Sequence, residues 1–123
     1  MNAAPLSSQT TAELVEKFRA LGEAKGEATL EGRIARYNRL YWQLDAVEEE
    51  LKGRNGDQRR ELARFYTHPA PQLRLDAAYA TLAIFPEQAQ AVLQRIVDRG
   101  EFPQAANALH TLMNIKEGTR IPE

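Results

Sequence analysis

The sequence predicts an all-α fold, a short right-handed α–α superhelix, on three observations. No stretch sustains period-2 alternation, and no turn dipeptide joins two β-branched runs, so strands are not expected. Ala, Leu, Glu, Gln and Arg, all good helix formers, dominate the chain. Apolar residues recur at three- and four-residue spacing between glycine and proline breaks. The length of 123 residues suits one domain. With 43% apolar and 27% charged residues, the composition is that of an ordinary globular protein.

Residues 1–9 have neither a basic n-region nor an apolar h-region, so no secretory signal is expected. They read as a frayed tail before a domain spanning 10–123. The first helix starts at Thr10 or Thr11, where Thr10-Thr11-Ala12-Glu13 has capping-box spacing. Leu14, Phe18 and Leu21 give it an apolar stripe, with Val15 alongside. Gly22 and Gly26 are expected to end it in a helix–helix turn.

A second helix is expected from about residue 27 to 52, roughly 39 Å long at about 1.5 Å per residue. Leu30, Ile34, Tyr37, Tyr41, Leu44, Glu48 and Leu51 form its stripe, widened by Leu40 and Val47. Trp42 points about 150° away from that stripe, on a side shared with Ala28, Ala35 and Ala46. This helical hairpin occupies residues 10–56.

Gly53-Arg54-Asn55-Gly56 breaks the chain, and Asp57 can cap a third helix carrying Leu62, Phe65 and Tyr66. His68-Pro69-Ala70-Pro71 stops it and opens a fourth helix with Leu73, Leu75, Ala77, Ala78, Leu82 and Ile84. Pro86 opens a fifth with Val92, Leu93, Ile96 and Val97, ended by Gly100. Pro103 opens a sixth with Ala106, Leu109, Leu112, Met113 and Ile115. Two helix pairs thus fill 57–85 and 86–118.

These two pairs align with each other. Leu62, Phe65 and Tyr66 match Leu93, Ile96 and Val97 at an offset of 31, and Pro71-Gln72 matches Pro103-Gln104 at an offset of 32. The run from His68 through Pro71, Gln72, Leu73 and Arg74 to Ala77-Ala78 resembles the turn and second helix of a HEAT repeat. In that family a proline turn leads to an apolar residue, an arginine and paired alanines. The second copy lacks the arginine. The resemblance implies stacked helix pairs with an extended binding surface.

Three stretches carry a wider resemblance. They are Ala12-Glu13-Leu14-Val15-Glu16-Lys17-Phe18; Tyr37-Asn38-Arg39-Leu40 with Ala46-Val47-Glu48-Glu49-Glu50-Leu51-Lys52; and the His68-Pro69 turn with Phe102-Pro103-Gln104-Ala105. Together they are similar to a small bacterial family known only as domain of unknown function 2019. The resemblance implies an all-helical bacterial protein and carries over no catalytic residue.

Catalytic chemistry finds little footing. There is no cysteine, and the two serines, Ser7 and Ser8, lie in the expected tail, so nucleophilic triads lack their parts. His68 and His110 have no carboxylate three or four residues away, as a helical metal pair would need. His68 is expected to end a helix by bonding its last carbonyls, and His110 to be half-buried. No cofactor and no metal are expected. Gly22 to Gly26 lacks the Gly-Lys-Ser/Thr and the preceding strand of a phosphate loop. No apolar run approaches the length needed to span a membrane, so a cytoplasmic protein is expected.

Charge disfavours a nucleic-acid binder, with 16 Lys and Arg against 17 Asp and Glu and a net charge of −1. Arg33, Arg36 and Arg39 nevertheless form a ridge on the long helix, and Arg54, Arg59, Arg60 and Arg64 cluster at the central turn. They read as solvated charge or as an anionic-partner groove. Glu49 and Glu50 read as a solvated face, while Glu48, on the apolar stripe, needs an arginine partner such as Arg74 or Arg64. Trp42 either packs against the first helix or belongs to an interface, including self-association through the long helix. Arg36, Asn38, Arg39, Trp42 and Arg74 are the candidate partner-binding surface. The expected function is a non-enzymatic protein-binding or adaptor module, one version being immunity-like. A nucleic-acid-binding repeat and an enzyme with an unrecognised site are the alternatives.

Overall fold

The computed structural model describes residues 5–118. Among them there is no strand. The chain divides into two compact units, Met1–Glu61 and Leu62–Glu123.

The first unit is a helical hairpin. Its first helix, α1, spans Thr11–Leu30 and starts with the expected capping box: Glu13 N–H donates to Thr10 Oγ1 and Thr10 N–H to Glu13 Oε1, both at 3.0 Å. Leu14, Phe18, Leu21, Lys25 and Ala28 are buried at spacings of four and three, facing the next helix. Gly22 and Gly26 lie inside α1 rather than ending it. A helical glycine costs about 1 kcal/mol against alanine. Burial of Leu14, Phe18 and Leu21 outweighs that, at about 1.5–3 kcal/mol for each large side chain.

The break falls at Gly32, which adopts φ +67°. Gly32 N–H donates to Thr29 O at 3.2 Å and Arg33 N–H to Ala28 O at 2.9 Å, the paired bonds of a Schellman cap. The single long helix expected from residue 27 is therefore two elements, and α2 spans Ile34–Gly53. This shifts the inward face. Leu44, Val47 and Leu51 are buried and Leu40 half-buried, whereas Leu30 and Ile34, expected on the stripe, are 85% and 75% exposed.

Leu6–Ser8 form a short 3-10 turn in the second half of the expected tail; residues 1–4 lie outside the described residues. Arg54 ties that turn to the hairpin, with Nη2 donating to Gln9 O at 2.6 Å and to Leu6 O at 3.0 Å.

The third helix is a 3-10 stretch, Gln58–Thr67, rather than an α-helix. Arg59, Leu62 and Phe65 are its buried residues at regular spacing of three, which a three-residue turn stacks on one face.

The second unit contains α3 (Pro71–Thr81), α4 (Pro86–Asp98) and α5 (Gln104–Glu117). Pro71 and Pro86 open their helices as expected. Leu75, Ala78 and Leu82 pack with Ala89, Val92, Leu93 and Ile96 of α4 and with Ala105 and Ala108 of α5. Small alanines at the contacts let the helices approach closely. Residues 32 positions apart touch: Gln104 Nε2 donates to Gln72 Oε1 at 3.2 Å, and Thr111 Oγ1 to the Tyr79 hydroxyl at 3.0 Å.

Arg74 is bound to Glu101 rather than to Glu48. Its Nη1 and Nη2 donate to the two carboxylate oxygens at 2.7 and 2.6 Å, and its Nε donates to His68 O at 2.7 Å. His68 uses Nδ1 to accept from Ala70 N–H at 3.0 Å. His110 is exposed, not half-buried. Among the described residues no helix is long and apolar enough to cross a membrane.

Candidate functional site

The hairpin's inward face uses the leucines and valine of α2, and this decides what its other side presents. At about 100° per residue, Ile34, Asn38, Tyr41 and Trp42 fall within one arc of about 100°; Ile34, Asn38 and Trp42 lie away from Leu44, Val47 and Leu51, and Tyr41 sits at the inner edge, about 60° from Leu44. All four are exposed, Trp42 by 67%. That overturns the expectation that Trp42 packs against the first helix. The Trp42 and Tyr41 rings meet edge-on, with centroids 5.2 Å apart and planes at 89°, so Tyr41 steadies the indole.

Tyr41 is itself anchored from below. Lys25 of α1 is buried, and its Nζ lies 5.2 Å from the Tyr37 ring centroid and 5.3 Å from that of Tyr41. An ammonium between two ring faces is held by both ring quadrupoles. Tyr37 and Tyr41 are one turn apart, so both can reach one cation from the same helix.

Charged residues border the aromatic patch. Arg39 is exposed on its flank and Arg36 half-buried further round, while Asp45 and Glu49 follow toward the C-terminal end of α2. Of the expected arginine ridge, Arg33 sits before α2 in the turn, 3.6 Å from the Glu31 carboxylate.

Of the second expected basic cluster, Arg60 and Arg64 are exposed, whereas Arg54 and Arg59 are structural. Arg54 donates to Glu50 at 3.0 Å, so Glu50 is an ion-pair partner rather than a solvated charge. Arg59 is buried and grips Asp57 through Nε at 2.9 Å and Nη2 at 2.7 Å. The Arg59 hydrogen bonds hold the Asp57 carboxyl below its ordinary range. Asp57 takes φ +50°, which a short polar side chain accepting from a nearby backbone group, here the Arg59 N–H, tolerates.

Arg74 does not join the surface residues. It belongs to the second unit and is 5% exposed, and its charge is committed to Glu101. Those hydrogen bonds hold the Glu101 carboxyl below its ordinary range, against a smaller opposing effect of burial. Arg36, Asn38, Arg39 and Trp42 stand on one helix, whereas Leu30, Ile34 and Tyr41 were missed as surface residues. The missed signal was Glu31-Gly32-Arg33, a glycine followed by a basic residue directly after an apolar helix end. Among the described residues no group of three or more His, Asp or Glu could hold a metal ion.

The model of the family described as Domain of unknown function (DUF2019) matches residues 12–116. The crystal structure of the protein RPA1889 from Rhodopseudomonas palustris CGA009 is similar, with a TM-score of 0.95 and 37% identity, covering 98% of this chain and 100% of that one. The chain is also 28% identical, over 97% of its length, to UvrABC system protein A of Bradyrhizobium diazoefficiens. It spans 11% of that protein's length.

Proposed function

The chain belongs to the family described as Domain of unknown function (DUF2019), and from that premise we propose that it is a non-enzymatic adaptor that binds a protein through the outer face of α2. The observation that carries this reading is the exposed patch of Ile34, Asn38, Tyr41 and Trp42 on that face. Large apolar side chains grouped on one exposed face mark interaction sites. Tryptophan and tyrosine supply large contact area with few rotatable bonds, and they dominate interface energies. The matching partner carries an apolar recess for Trp42 and a carboxylate opposite Arg39.

The likeness to a segment of UvrABC system protein A supports a modular role. The matching stretch is 11% of that protein's length, the proportion expected of an attached module. We also read the second unit as two HEAT-like copies. Support comes from the hydrogen bonds between Gln72 and Gln104 and between Tyr79 and Thr111, residues 32 positions apart.

Affinity capture with the wild-type chain and with an Ile34→Asp/Trp42→Asp variant tests the reading. Both residues are exposed, so the variant keeps its helical circular-dichroism signal and loses the captured protein. Equal capture by both chains contradicts the choice of surface.

A further inference from the structure

The second unit contains a cleft of about 430 Å³ that the outer face of α2 does not involve. Arg95 of α4 and Arg99, which caps it, line one side, and Arg74 and Glu101 lie among its other walls. Tyr66 and Val92 add an aromatic and an apolar surface. We infer that this cleft binds a small phosphomonoester, its phosphoryl dianion between Arg95 and Arg99 and its organic body along Tyr66 and Val92.

Charge is the first support. Three arginines and one glutamate leave two positive charges at the cleft, in a chain whose net charge is −1. Both oxygens of the Glu101 carboxylate accept from Arg74, so that pair neutralises itself. The surplus rests on Arg95 and Arg99, which are exposed; the Arg99 charge lies near enough to help hold the Glu101 carboxyl low, and neither arginine is bonded to a carboxylate among the described residues. One helical turn separates them, about 5–6 Å between Cβ atoms, a spacing from which two planar guanidinium groups can hold one tetrahedral dianion.

Backbone hydrogen bonds lessen the main objection. Arg99 caps the C-terminal end of α4, where bare carbonyls would repel an anion. Here Arg99, Gly100 and Glu101 N–H groups donate to Arg95, Val97 and Ile96 carbonyls at 3.0, 3.0 and 3.2 Å. Those acceptors are occupied. Volume decides between a bare anion and a larger ligand, because clefts of about 300–1,000 Å³ hold molecules with an organic body. Tyr66 is fixed for that role by the hydrogen bond of its hydroxyl to Thr81.

The test is an NMR titration of the isotope-labelled full chain with inorganic phosphate, phenyl phosphate and benzoate at constant ionic strength. Both phosphates should give saturable shifts at Tyr66, Val92, Arg95 and Arg99, with phenyl phosphate the tighter. Arg95→Gln/Arg99→Gln should weaken phenyl phosphate by ~tenfold or more, the scale of losing charge-assisted bidentate contacts. Arg33→Gln, in the other unit, should leave it unchanged. The proposal is overturned if benzoate binds as tightly as phenyl phosphate, if the shifts never saturate, or if the double variant binds as the wild type does. Circular dichroism checks the fold, and Arg95→Gln alone answers the same question should the double variant not fold.

Discussion

Lys25 Nζ lies 5.2 Å from the ring centroid of Tyr37, beneath the exposed face of α2. The lysine is 3% exposed, so this is a desolvated cation held against aromatic rings, and such contacts reach about 2 kcal/mol. A double-mutant cycle of Lys25→Met and Tyr37→Leu, read by urea denaturation, should give a coupling energy of about 1 kcal/mol. Additive effects would mean that Lys25 is held by other contacts.

Arg74 and Glu101 form the second unit's buried ion pair. Glu101→Gln leaves the Arg74 cation buried without its counter-charge. Removing one partner of a fully buried pair costs about 3–5 kcal/mol. Glu101 is partly solvated, with 21% of its side chain exposed, so a loss of about 2–3 kcal/mol is expected. Chemical denaturation measures it.

The same pair gives an acid dependence. The folded-state pKa of Glu101 is lowered by the Arg74 hydrogen bonds, and that of Asp57 by the Arg59 hydrogen bonds. A lowered carboxyl binds its proton less readily when folded, so it stabilises the native state above its unfolded pKa. That contribution is complete above about pH 5 and fades as pH falls through about 4 and below. Denaturation midpoints should drop over that interval, and Glu101→Gln should reduce the slope.

Gly32 is the hinge of the hairpin's cap. An added Cβ there meets nothing within 4 Å, so Gly32→Ala tests backbone conformation alone. Forcing alanine to φ +67° should cost about 1–2 kcal/mol. Gly32→Asn should cost less, because asparagine tolerates the left-handed region. Equal melting temperatures for all three chains would contradict the assignment of the cap.

Trp42→Ala should change stability by less than about 0.5 kcal/mol, since the side chain is exposed. Partner capture should fall sharply in the same variant. A large drop in melting temperature would return Trp42 to the core.

Helices with proline openings were the most legible part of the chain. Pro71 and Pro86 open α3 and α4, and Thr10 with Glu13 opens α1. What escaped was the hairpin's connection. Gly22 and Gly26 looked like stops because Lys25 and Ala28 do not read as buried residues. Yet Leu14, Phe18, Leu21, Lys25 and Ala28 are a regular inward series, completed by a lysine whose ammonium lies against the tyrosines of another helix. Gly32 was passed over because Leu30 and Ile34 continued a four-residue spacing across it. Arg74 was read as surface because its partner lies 27 residues away, at a distance no local pattern reports. Trp42 was legible by angle, since it pointed away from the stripe, but exposure depends on whether another helix covers that side.

Site-specific photo-crosslinking in the native host tests the central claim most directly. A benzophenone amino acid placed at Trp42, at Asn38, or at Gln94 of α4 probes the two units separately. The account predicts one common adduct with another protein from positions 42 and 38, and none of that adduct from position 94. The opposite pattern, an adduct from 94 with none from 42 or 38, would contradict it.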